Sequence, residues 1–65
     1  MNDFEDKSAK RAARRCFPRR LTAQTHFIAG WKAERGEANI QLTGSHAEQS
    51  GRAAAQDFSQ LTIFN

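Results

Sequence analysis

The sequence predicts an all-α fold, a small domain of two to three helices followed by an extended C-terminal tail. Small and apolar residues recur at helical spacing over residues 9–16 and 23–31. Pro18, Gly36 and Ser45 punctuate the chain where helices should stop or start. The alternation expected of a strand is confined to Ile40 and Leu42. At 65 residues the chain holds one domain, assigned to residues 1–58, with residues 59–65 as the tail. A single core of this size supplies roughly 3–5 kcal/mol. Large apolar side chains are sparse and several fall at the C-terminus, so a homodimer or a bound partner would add needed stability.

The first helix is expected from Asp3 to Cys16. Asn2 or Asp3 can cap it, and Asp3, Glu5 and Asp6 suit the positive end of its dipole. Lys7, Lys10, Arg11, Arg14 and Arg15 fall on one arc. Ala9, Ala12, Ala13 and Cys16 fall on the opposite one, an apolar face of little bulk. Pro18 disfavours helix at Phe17 and ends the segment. The second helix is expected from Thr22, as N-cap, to Arg35, with Gly36 just past its end. Ala23, Phe27, Ile28 and Trp31 make a stripe on it. Phe27, Ile28 and Trp31 are assigned to the core, a base-stacking surface being the alternative. Gly30, unfavourable inside a helix, implies that something approaches closely there. Residues 37–44 read as a short strand or an ordered loop. Ser45 and Glu48 form a capping box for a third helix reaching about Phe58, interrupted or restarted at Gly51.

Charge points to the partner. The net charge is +3, and Lys7, Lys10, Arg11, Arg14, Arg15, Arg19 and Arg20 make up most of the ten cations. No acid lies between Lys7 and Arg20. Such a run favours polyanions, meaning nucleic acid or an anionic membrane surface; a merely solvated helix face is the plain alternative. These seven residues are taken as the nucleic-acid-binding set. No apolar run approaches the ~20 residues needed to cross a bilayer, so no membrane partner is expected.

The residues do not suggest an enzyme. Cys16, His26 and His46 are too widely spaced for a metal motif, no glycine loop cradles phosphate, and the acids form no evident catalytic pair. No cofactor or metal is expected. The lone Cys16 cannot form an intrachain disulfide and suits a reducing cytoplasm. His26 is expected half-buried beside Phe27, and His46 solvent-facing in the first turn of a helix.

Two segments resemble known patterns. Cys16-Phe17-Pro18, then Leu21, then Phe27-Ile28-Ala29-Gly30-Trp31-Lys32 resembles the ribosome modulation factor family. That family carries Cys-Pro-Tyr, a leucine, and an aromatic-aliphatic-x-Gly-Trp-basic signature at matching distance, after a basic helix. Here the proline is displaced by one place and Phe27 stands where a Trp is usual. The resemblance covers about a quarter of the chain. It implies a two-helix fold contacting RNA of the small ribosomal subunit. Gln60-Leu61-Thr62-Ile63-Phe64 is similar to the bacterial sliding-clamp-binding peptide, Gln-Leu-(Ser/Asp)-Leu-Phe. That similarity implies a phage- or plasmid-type replication adaptor, bound to DNA and docked on the clamp through Gln60, Leu61, Ile63 and Phe64. The alternative for these residues is a strap that returns to the core.

Overall fold

The structure, a computed structural model, describes residues 3–64, and side chains as far as residue 61. It contains three helices: α1 (Asp3–Cys16), α2 (Leu21–Glu34) and α3 (His46–Phe64). No strand occurs among the described residues, and 37–44 is a loop. The main packing is between α2 and α3, with α1 laid mostly against α2.

The α2–α3 crossing is set by two glycines. A Cβ on Gly30 would fall on the backbone carbonyl of Glu48, and one on Gly51 would fall on the backbone carbonyl of Phe27. Each helix thus lacks a side chain where the other's backbone passes. Gly30 therefore does mark a close approach, and α3 is what approaches. The break expected at Gly51 does not occur: α3 runs unbroken through it, because that glycine serves the crossing.

Phe27 is fully buried and Trp31 is 2% exposed, with Ala9, Ala13 and Ala55 around them. Bulk comes from a run of rings. Phe17 meets Phe27 edge-on at 6.2 Å, Phe27 lies 6.3 Å from Trp31, Trp31 5.4 Å from Phe58, and Phe58 6.3 Å from Phe4. Such pairs add about 0.5–1.5 kcal/mol each beyond their burial. The alanine faces of α1 and α3 let their backbones come close to this row. Phe27 and Trp31 are thus core residues, and neither ring offers a stacking surface.

Two buried carboxylates hold the helices in place. Glu5 accepts a hydrogen bond from Trp31 Nε1 at 2.8 Å and pairs with Arg35 Nε at 2.8 Å. Arg35 also donates to Ser59 Oγ at 2.9 Å, so one guanidinium joins all three helices. Glu48 organises the loop before α3. Its backbone N–H donates to Ser45 Oγ, as a capping box requires. Its carboxylate reaches further upstream, accepting from the backbone N–H of Thr43 at 2.7 Å, from Thr43 Oγ1 at 2.8 Å and from the backbone N–H of Gly44 at 2.7 Å. The Thr43 amide chiefly, with its hydroxyl, the Gly44 amide and His26, outweighs the opposing effect of burial and holds Glu48 at a pKa of about 2. A carboxylate depressed in the folded state stabilises the fold above its unfolded pKa, near 4.5, and ceases to do so as pH falls toward 2. Melting temperature should therefore fall across that window. Glu48→Gln should melt lower than the parent at pH 7 and show a shallower acid decline. Parallel curves in thermal melts against pH would contradict this.

The ends of the elements correct several expectations. Thr22 does not cap α2. The helix begins at Leu21, and Arg20 occupies the cap position without a capping side-chain bond. Pro18 and a left-handed Arg19 (φ 63°) fold the chain back so tightly that Gln24 N–H already donates to the Arg20 carbonyl. Gln24 Nε2 braces the corner on the Phe17 carbonyl at 2.8 Å. At the other end Gly36 takes φ 83°, and Gly36 and Glu37 donate to the carbonyls of Ala33 and Lys32, a Schellman cap. Cys16 is exposed and does not continue the alanine face. It ends α1 where the chain turns away, and Phe17 enters the core instead. The extended tail is also corrected. With no breaker between Arg52 and Phe64, α3 continues across the expected boundary at residue 58 to Phe64. Asn65 lies outside the described residues.

Candidate nucleic-acid interface

The cations predicted to bind polyanions form one ridge. Lys7, Lys10, Arg11, Arg14 and Arg15 lie exposed on α1, and Arg19 and Arg20 continue the ridge around the corner to α2. The alanines opposite them are drawn into the core, which fixes the outward direction of the charged arc. Among the described residues the only one of the seven in an ion pair is Lys10, 3.1 Å from Asp6.

The acids are used differently. Glu5 and Glu48 are buried on internal partners, and Glu34 is held by Arg52 at 3.3 Å and by Gln56 at 3.2 Å on the far side of α2. Three of the seven acids are thus engaged within the molecule, while Asp3, Glu37 and Asp57 stay exposed and the ridge cations face out. The modest net charge understates the field along the ridge.

Two hollows adjoin the ridge. One, of about 520 Å³, opens between the first turns of α2 and α3; Phe17, Leu21 and Ala47 give it apolar walls, and Arg20, His26 and His46 polar ones. The other, of about 370 Å³, lies between α1 and α2 beside Lys10, Arg14, Gln24 and Ile28. Leu21, 76% exposed, stands between them. His26 is half-buried as expected, but it points Nδ1 at Glu48 Oε2, 3.4 Å away. His46 is exposed at the start of α3. Sequence alone marks none of Leu21, His26 and His46 as a binding residue. Phe17 and Ala47 meet only through the fold, so no local spacing marks the hollow they share.

Of the structural set, Phe27 and Trp31 are buried and Ile28 is half-buried. Gln60 and Leu61 are exposed near the end of α3, Leu61 at 66%. They do not strap the core, and binding as an extended clamp peptide would require the last turns of α3 to unwind. The side chains of Ile63 and Phe64 lie outside those described. No group of three His, Cys, Asp or Glu among the described residues could hold a metal ion, and no helix there is long and apolar enough to cross a membrane. No family model, curated protein or solved structure matches the chain.

Proposed function

We propose that this protein is a small RNA-binding protein that associates with the ribosome or its RNA through the basic ridge of α1 and the α1–α2 corner. The observation that carries the reading is the separation of charge. Among the described residues the ridge keeps all its cations but Lys10 free of ion pairs, while buried or paired sites take up Glu5, Glu34 and Glu48. Phosphate contacts of this kind position a protein without reading sequence, and they serve RNA and DNA alike. The resemblance of residues 16–32 to the ribosome modulation factor family favours RNA of the small subunit.

The test is sedimentation with purified bacterial small ribosomal subunits. The protein should pellet with them at low salt and be released as salt rises. Remaining in the supernatant with subunits at about 50 mM salt, where phosphate contacts are strongest, would remove the ribosome as partner.

A further inference from the structure

The hollow between the first turns of α2 and α3 is an odd feature for a chain short of bulk. It leaves Leu21 exposed and Phe17 and Ala47 facing a cavity of about 520 Å³, within the roughly 300–1,000 Å³ of small-ligand sites. Resting on the nucleic-acid reading above, we infer that this hollow receives an unpaired nucleobase, and that the partner is therefore a single strand rather than a duplex.

Three observations point to that occupant. The hollow shares Arg20 with the basic ridge, so a strand held there by its phosphates already lies at the rim. The neighbouring groove supplies the approach: a backbone on Lys10 and Arg14 reaches the hollow by crossing Leu21. The walls suit a base, which has apolar faces and a hydrogen-bonding edge. Phe17, braced edge-on by Phe27, Leu21 and Ala47 offer the apolar surface. His26, whose Nδ1 faces Glu48, lines the hollow together with His46 and Arg20, and these three supply its hydrogen-bonding groups.

Charge separates this face from the rest of the molecule. Among the described residues no acidic side chain lines either hollow beside the ridge, whereas two others, walled by α3 and the end of α2, include Glu34 beside Arg35 or Arg52. At the first pair no lining acid offsets the cations, whereas at the second Glu34 stands against Arg35 and Arg52. In a duplex the bases are stacked and paired, and placing one in the hollow would require flipping it out.

The probe is a labelled single-stranded RNA of about 12 nucleotides, compared by fluorescence anisotropy with an abasic strand of the same length. The parent should bind the intact strand at least about tenfold tighter, since one stacked base contributes on that order. Ala23→Leu, which narrows the hollow without changing charge, should bring the two strands to nearly equal affinity with the salt dependence unchanged. Should that variant fail to fold by circular dichroism, Leu21→Ala, at an exposed position, should narrow the gap between the strands. Equal affinity of the parent for both strands, with a steep salt dependence, would overturn the base site and leave the charged ridge standing. Absence of binding to either strand at low salt would overturn the nucleic-acid reading itself.

Discussion

Gly51→Ala should unfold much of the protein, although alanine is the better helix former by about 1 kcal/mol. Position 51 lies inside α3, where propensity alone predicts a gain. The new methyl group would meet the backbone carbonyl of Phe27, which belongs to a helix and cannot rotate aside. The helices must part, and the ring row between them loosens. Overpacking costs about 1–3 kcal/mol and occasionally more, and a backbone obstacle belongs at the upper end. Set against a core worth roughly 3–5 kcal/mol, that is most of the stability. Gly30→Ala meets the Glu48 carbonyl in the same way. The double variant should lose less than the sum of the two, because helices parted for one methyl already make room for the other. Urea unfolding followed by circular dichroism reads this as a lower midpoint. A midpoint unchanged or raised in Gly51→Ala would show that the helices do not cross at these glycines.

Trp31→Ala should abolish cooperative folding. Trp31 lies between Phe27 and Phe58 and holds Glu5 through its indole N–H. Removing a buried ring of this size costs about 3–5 kcal/mol, comparable to the whole core. Trp31→Phe separates packing from hydrogen bonding. It keeps a ring in the row and leaves Glu5 paired with Arg35, but removes the indole donor, and one hydrogen bond to a charged group contributes about 1.5–3 kcal/mol. The expected order in thermal melts is parent, then Trp31→Phe, then Trp31→Ala with no cooperative transition. A cooperative melt for Trp31→Ala near the parent's temperature would place Trp31 outside the core.

Local signals were legible in the sequence, and long-range ones were not. The limits of α1 follow from Asp3 at one end and Pro18 just beyond the other. The end of α2 follows from Gly36, whose positive φ the cap requires. The start of α2 misled because Thr22 is a better cap by composition than Arg20, while the strained corner at Arg19 decides where the helix begins. Gly30 and Gly51 send the same message, a close approach. Only Gly30 signals it locally, because Trp31 stands beside it, while Gly51 among alanines resembles a break. Glu5 passed for a favourable charge in a first turn. Its real partners, Trp31 and Arg35, lie a helix away in space and far away in sequence. The basic ridge was fully visible because it is a property of one helix face and one corner.

The ridge is proposed to act through phosphate contacts, and these leave a direct signature in salt dependence. Each neutralised phosphate on a single strand contributes about 0.7 to the slope of log affinity against log salt. Arg11, Arg14 and Arg15 are exposed and outside the core, so changing all three to Gln should leave the fold intact. The decisive measurement is a salt titration of RNA binding by the parent and this triple variant. A phosphate-binding ridge gives a steep slope for the parent and one shallower by about 2 for the variant. Equal slopes in two equally folded proteins would contradict it.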